Sequence, residues 1–325
     1  MRAGEIYEPC RIRLIDAPEP QLEEPADGEP AQILFQPRLG CLCGSDLLFF
    51  EACYSEYIPV VGHSLHELIG TVVETTGKRF QPGDQVLCVP ANQVGLCERF
   101  TSIETHAIPL DDRKPPEQAL MAQPLGTVLY ALRRIPNVLD LNVVVVGQGP
   151  IGQLFCGALR NLGARQIIAI DKLASRLATS PRMGATDTIN ADSEDVAQRV
   201  RDLTDGLMAD LVVEAVGHKD FAMNLCVQLC RPEGRLLVFG LTELEIDGVR
   251  WRDLHVKKIT VSTSIGPDFE RDFPLAMRWI GEGRIDVSPI LTHRFKLDQI
   301  QAAFDTFQQR REGALKVLVE FPTQP

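Results

Sequence analysis

Four valines, Val143–Val146, run straight into Gly147-Gln148-Gly149-Pro150-Ile151-Gly152, and Asp171 follows nineteen residues after the last glycine. An unbroken β-branched run reads as a strand buried on both faces, the kind found in a parallel sheet. The first glycine permits a tight turn, the second lets backbone approach a pyrophosphate, and the third allows close helix–strand packing. Ile151, Leu154, Phe155, Ala158, Leu159 and Leu162 then recur at helical spacing, and Gly163 closes the helix. The N-terminus of such a helix offers free N–H groups and partial positive charge to phosphates. Gln166–Ile170 reads as the next strand, with Asp171 at its end. A carboxylate there accepts hydrogen bonds from the ribose hydroxyls of NAD and repels the extra phosphate of NADP. Lys172 and Arg176 pull the other way, since a nearby cation suits a 2′-phosphate. NAD is the expected cofactor and NADP the lesser alternative. A β-α-β unit with no nucleotide is the bland reading.

The pattern continues downstream. Leu211–Ala215, Leu236–Phe239 and Ile259–Ser262 read as strands, with Gly217, Gly240 and Gly266 beyond their C-terminal ends. Patterned helices are expected at about 193–203 and 220–230. A doubly wound sheet binds its ligand outside the carboxyl ends of its strands. The expected cofactor residues are therefore Gly147, Gly149, Pro150, Ile151, Gly152, Asp171, Lys172, Arg176, Val216, Gly217, Gly240 and Leu241.

The glycine motif lies mid-chain, so some 120 residues ahead of it build something else. A chain of 325 residues suits two domains better than one. A net charge of −11 argues against nucleic acid and anionic membrane surfaces. No apolar run reaches membrane-spanning length, and the first residues show no signal-peptide core. Nine cysteines, an odd number without disulfide-like spacing, point to reduced thiols and a cytoplasmic protein.

Residues 31–110 read mostly as short strands, among them Gln32–Leu39, Glu67–Thr75 and Gln85–Val89. Residues 16–30, rich in proline and acidic residues, read as surface turns. Asp111–Pro116 reads as a connector, and a helix is expected at about 117–133. Between the early strands lie Cys41-Leu42-Cys43-Gly44-Ser45-Asp46 and His63-Ser64-Leu65-His66-Glu67. Thiolate, imidazole and carboxylate are the ligand types of a catalytic zinc site. Alone, a cysteine and a histidine about twenty residues apart are by default a buried structural thiol and a surface imidazole. Cys226 and Cys230, four apart on one expected helix, read as core. Trp251 and Trp279 read as packing residues, and Phe49 as pocket or core. His106, His218, His255 and His293 are isolated and receive no role.

In combination, Cys43-Gly44-Ser45-Asp46, H-E-x-x-G-x-V from His66, G-D-x-V from Gly83 and the mid-chain glycine motif carry a resemblance over nearly the whole length. The chain resembles the zinc-dependent medium-chain dehydrogenases/reductases, most closely their polyol and sugar branch. The resemblance implies an α/β protein: a GroES-like β-barrel catalytic domain (1–124), a Rossmann doubly wound parallel sheet (125–264), and a C-terminal segment (265–325) largely returning to the catalytic domain. It implies Cys43, His66 and Glu67 as zinc ligands and catalytic residues, Ser45 as the hydroxyl that takes the substrate proton, and Asp46 as a carboxylate behind the metal. Gln123 stands where the family often has a ligand glutamate and can still offer a neutral carbonyl oxygen. The implied reaction is hydride transfer between a secondary alcohol (polyol, sugar or cyclitol), or its ketone, and NAD. A homodimer or homotetramer is implied as well.

Three departures stand out. Leu65 replaces the usual glycine before the histidine. Leu48 falls where many members carry a proton-relaying histidine. Only twelve residues separate Asp84 from Cys97, where a structural-zinc lobe with four cysteines would sit. Cys88 and Cys97 alone cannot make a four-coordinate site, so one catalytic zinc and no structural zinc is expected. Two other readings remain on the same fold: a zinc-free NAD(P)H-dependent C=C or quinone reductase, and a non-catalytic nucleotide-binding protein.

Overall fold

The computed structural model describes residues 1–23, 25–26, 28–52, 59–217, 222–241, 245–246 and 248–322; His218 lies outside them. The chain divides into two units. One comprises Met1–Gln123, Phe269–Glu282 and Leu291–Pro325, and the other Pro124–Asp268 and Gly283–Ile290.

The first unit opens with an antiparallel hairpin of β1 (Arg2–Glu8) and β2 (Arg11–Asp16). It continues through β3 (Gln32–Cys41), α1 (Asp46–Phe50), β4 (Glu67–Thr75), β5 (Gln85–Cys88), β6 (Phe100–Ile103), β7 (Ala107–Pro109) and α2 (Pro116–Leu120). The second unit holds α3 (Ala122–Leu132) for most of its length, then β8 (Asn142–Val146), α4 (Pro150–Asn161), β9 (Gln166–Asp171), α5 (Ala174–Leu177), β10 (Asp187–Asn190), α6 (Val196–Leu203), β11 (Ala209–Glu214), α7 (Ala222–Leu229), β12 (Cys230–Val238), α8 (Trp251–Lys257) and β13 (Thr260–Thr263). The chain then returns with α9 (Phe269–Gly281), β14 (Leu291–Lys296), α10 (Ile300–Gln308) and β15 (Lys316–Glu320).

In the first unit the strand order is β14-β15-β3-β4-β5-β7, with β6 also on β3. Pairing is antiparallel except between β14 and β15. Phe35, Phe50, Leu65, Leu68, Phe304 and Val317 share its buried core, so the returning segment completes what the N-terminal strands begin. In the second unit six parallel strands run β10-β9-β8-β11-β12-β13, the 3-2-1-4-5-6 order of a doubly wound sheet. Every residue of β8 is buried, as its valine run requires. Gly147 takes φ +93°, and a Cβ on Gly152 would run into the Gly147 carbonyl oxygen, so the turn between β8 and α4 closes only on glycine.

Four expectations need correction. The helix expected at 117–133 is two helices, α2 and α3. Pro124 has no N–H for the Leu120 carbonyl, so the helix restarts with the proline in its first turn. Cys230 is not on the helix of Cys226; it begins β12. Lys257 closes that helix end by donating to the carbonyls of Val227, Gln228 and Cys230 at 2.8–2.9 Å. β12 therefore starts six residues before the expected Leu236, through Arg231-Pro232-Glu233, which show no apolar alternation. Trp251, expected to pack, is 73% exposed at the start of α8, whereas Trp279 is buried.

Candidate metal centre and dinucleotide site

Register brings the candidate ligands together. β3 and β4 pair so that Cys41 faces Glu67, which sets Cys43, two residues past one strand, beside His66, one residue before the other. Cys43 Sγ lies 3.5 Å from His66 Nε2 and 3.7 Å from Nδ1. One donor atom from each of Cys43, His66 and Glu67 falls within 4.8 Å of the others. A tetrahedral zinc with bonds of about 2.3 Å to sulfur and 2.05 Å to nitrogen would separate those two atoms by about 3.6 Å. The sulfur–nitrogen spacing fits such an ion without rearrangement.

A single buried carboxylate holds the two ligand turns. Asp46 Oδ2 accepts from the Cys43 backbone N–H at 2.7 Å. Its Oδ1 accepts from the Leu65 N–H at 2.9 Å and the Ser64 hydroxyl at 3.1 Å. Asp46 thus acts on the backbones that aim Cys43 and His66. Leu65 occupies the left-handed region, φ +57°, a conformation that favours glycine. A non-glycine residue gives up about 1–2 kcal/mol in that conformation. Leu65 is fully buried in the core, and burying a leucine contributes about 1.5–3 kcal/mol. The departure keeps the turn and offsets its strain by packing. Ser45, the N-cap of α1, makes no capping bond; its hydroxyl lies 2.8 Å from Cys43 Sγ.

Behind the ligands stands a residue the motifs did not indicate. Lys316 of β15, only 1% exposed, places Nζ 2.6 and 2.5 Å from the two oxygens of Glu67 and 3.3 Å from the Leu42 carbonyl. Burial pushes the Glu67 carboxyl up and Lys316 opposes it. Burial would lower Lys316, but the facing carboxylate and the thiols of Cys41 and Cys43 hold it above the ordinary lysine value. The Cys43 thiol is raised by burial, then by Asp46 and Glu67, and Lys316 and the Ser45 hydroxyl work against that rise. A dication beside these groups would offset the same repulsion and favour the thiolate. The available signal for Lys316 was a lysine inside the apolar run Ala314–Val319, because a buried ammonium needs a partner.

The remaining residues make no hydrogen bond to the trio among the described residues. Gln123 is buried near the start of α3, and no hydrogen bond joins its amide to the trio among the described residues. Leu48 is buried in α1. Phe49 is buried too and packs on the ring of His63 at 4.6 Å, while His63 Nδ1 accepts from the Val60 N–H at 3.0 Å. Cys88 ends β5, and Cys97 bridges to Ala3; burial raises both thiols to about 12.

In the second unit the glycine turn leads into α4, with Pro150 as its first residue. Asp171 Oδ2 accepts from the Gln148 N–H at 2.7 Å and Oδ1 from the Leu173 N–H at 2.9 Å. Each oxygen keeps acceptor capacity for a ribose hydroxyl. Arg176 lies 3.6 Å from Asp171 Oδ2, and its guanidinium is the nearest group to Gly149, so it borders the phosphate turn. Lys172 is exposed. Val216 and Leu241 stand exposed past β11 and β12, with Gly217 and Gly240 beside them.

A family model described as "Alcohol dehydrogenase GroES-like domain" matches residues 29–120, and one described as "Zinc-binding dehydrogenase" matches residues 150–282. The chain belongs to the zinc-dependent medium-chain dehydrogenases. It is an oxidoreductase of their alcohol and polyol branch. Among similar members of that family, L-threonine 3-dehydrogenase of Bacillus licheniformis is 30% identical over 63% of this chain and 58% of its own length. Sorbitol dehydrogenase of Ovis aries is 24% identical over 97% of this chain and 95% of its own. The structure of alcohol dehydrogenase TADH from Thermus sp. ATN1 aligns with TM-score 0.87 and 25% identity, covering 98% of this chain and 99% of that one. The first match spans the trio, and the second begins at Pro150, at the start of the helix that follows the glycine turn.

Removing one partner of a buried ion pair strands the other charge. Lys316→Met is expected to destabilise the metal-free protein by about 3–5 kcal/mol in urea unfolding, and Lys316→Met with Glu67→Leu to recover most of that loss. A single variant as stable as the parent would refute the pairing.

Proposed function

We propose that this protein is a zinc-dependent oxidoreductase that moves hydride between a secondary alcohol, or its ketone, and NAD. The observation that carries the reading is the 3.5 Å approach of Cys43 Sγ to His66 Nε2, with Glu67 in the same cluster, on a chain that also bears a dinucleotide turn. When bound, zinc lowers the pKa of the alcohol and NAD accepts the hydride. Cys43 and His66 hold the ion, and Glu67, tied to Lys316, serves as a ligand directly or through water. Gln123 offers a neutral oxygen in place of a further carboxylate. Asp46 keeps the two ligand turns at fixed separation, which is the positioning a metal site requires. Ser45 Oγ takes the substrate hydroxyl proton. Leu48 cannot pass it on, so it leaves through water or a ribose hydroxyl. Asp171 would accept from the ribose hydroxyls of NAD, Arg176 and the N-terminus of α4 would meet its phosphates, and Gly217 and Gly240 would offer backbone at the ligand end of β11 and β12.

The substrate class follows from the relatives' names. Sorbitol is a polyol, and position 3 of L-threonine carries a hydroxyl. A polyol, sugar or cyclitol carries the secondary hydroxyl that both names point to. The reduced state belongs to the proposal as well: the eight described cysteines are free, in keeping with a cytoplasmic setting. No helix of the described residues is long and apolar enough to cross a membrane.

Two substitutions test the reading. Cys43→Ser should lose bound zinc in metal analysis and lower NADH formation on a polyol panel at least about 100-fold, as expected when several kcal/mol of charge stabilisation disappear. Full activity in a metal-free variant would sink the mechanism. Asp171→Ser should lower the NAD-over-NADP preference in kcat/KM by about tenfold, the scale of one lost charge-assisted contact. An unchanged preference would remove Asp171 from cofactor choice.

A further inference from the structure

The end of β11 carries a buried acid that neither the metal chemistry nor the glycine turn uses. Glu214 is the last residue of that strand, and its carboxylate is almost wholly buried. No lysine or arginine pairs with it among the described residues. Instead it collects backbone donors. Oε1 accepts from the N–H groups of Val216 at 2.9 Å and Gly217 at 3.0 Å, and Oε2 accepts from that of Gly240 at 3.2 Å. Val216 and Gly217 follow β11, whereas Gly240 follows β12. One carboxylate therefore ties together the turns at the carboxyl ends of two neighbouring strands. The turns also touch directly: a Cβ on Gly240 would strike the Gly217 nitrogen, so only glycine allows this approach.

The tie continues to the phosphate turn. The Ala215 N–H donates to the Val146 carbonyl at 2.9 Å, and a Cβ on Gly147 would lie 2.9 Å from the Ala215 carbonyl group. On the other flank Asp171 binds the Gln148 N–H. Asp171 thus bonds the turn after β8 directly, and the segment that Glu214 ties packs against that turn through Ala215. What Glu214 holds in place is apolar and open: Val216 is 45% exposed and Leu241 44% exposed, one on each tied turn. Exposed aliphatic groups at the ligand end of such a sheet suit the flat face of a nucleotide ring.

We propose that Glu214 is a positioning residue of the dinucleotide site, whose carboxylate joins the turns after β11 and β12 so that Val216 and Leu241 present a fixed apolar surface to the cofactor. The proposal rests on the NAD reading above. Glutamate suits the task because a carboxylate is acceptor-only, and its charge strengthens bonds to three N–H groups at once. A glutamine amide would turn two donors toward one of those N–H groups. An aspartate is one methylene shorter; it still reaches its own turn but not Gly240.

The test is a fluorescence titration of the full-length, metal-loaded protein with NADH, together with steady-state kinetics. The parent must bind NADH; if it does not, the NAD reading itself fails. Given binding by the parent, Glu214→Gln should raise the NADH Kd and the KM for NAD about tenfold or more. Zinc content, and KM for the alcohol at saturating NAD, should stay near parental values. Glu214→Asp, which keeps the charge and the first turn, should fold like the parent and raise the NADH Kd about threefold, a partial rescue. It carries the test if the glutamine variant does not fold. Parental NADH Kd in a folded Glu214→Gln or Glu214→Asp protein, with only a lower melting temperature, would overturn the proposal and leave Glu214 a purely structural tie.

Discussion

The first unit depends on one carboxylate in the wrong place for solvent. Asp46 is fully buried, and its two oxygens bind the backbone of both turns that carry metal-type side chains. Burying a carboxylate is tolerated only when hydrogen bonds replace its water, and here three donors do so. The same bonds fix the turn at Leu65, which would otherwise relax from its left-handed conformation. The spacing of Cys43 and His66 is therefore set by backbone already in place, and the register of β3 with β4 supplies the coarse approach. A site preassembled in this way needs little reorganisation to accept an ion.

Glu67 and Lys316 show how the returning segment takes part. β15 pairs with β3 and delivers an ammonium to the carboxylate that begins β4. A buried ion pair contributes little net stability compared with an apolar pair of the same shape. Its effect is to hold a negative charge beside the Cys43 thiol, whose pKa burial and the neighbouring carboxylates raise and Lys316 lowers. The second unit uses the same device. Asp171 accepts from a backbone N–H of the β8 turn and Glu214 from those of the turns after β11 and β12, so these turns are held while offering glycine backbone to a ligand.

Much of this was legible in the residues. The valine run before Gly147 and the β-branched stretch within Glu67–Thr75 give strands with nearly the observed bounds, because each is rich in buried apolar residues. The start of β12 was hidden, since Arg231-Pro232-Glu233 resemble a loop and form an irregularity between Cys230 and Arg235, the residues that pair with β11 on either side. The break between α2 and α3 was visible only through Pro124. At the site, Cys43, Ser45 and His66-Glu67 were readable from local motifs. Lys316 was not, because its partner is 249 residues away and no periodicity reports such a distance. Leu65 looked like damage to the motif, whereas its backbone keeps the conformation that a glycine would adopt. Trp251 misled for the opposite reason: large aromatics are usually buried, and this one opens a helix on the exposed side.

The central claim is that Cys43, His66 and Glu67, braced by Asp46 and Lys316, form a metal centre. Anomalous diffraction at the zinc edge, from crystals of the zinc-supplied protein, tests it most directly. The account requires one strong peak per chain within bonding distance of Cys43 Sγ and a His66 ring nitrogen, with Glu67 adjacent. No peak there, or one bound by a different set of residues, would contradict it.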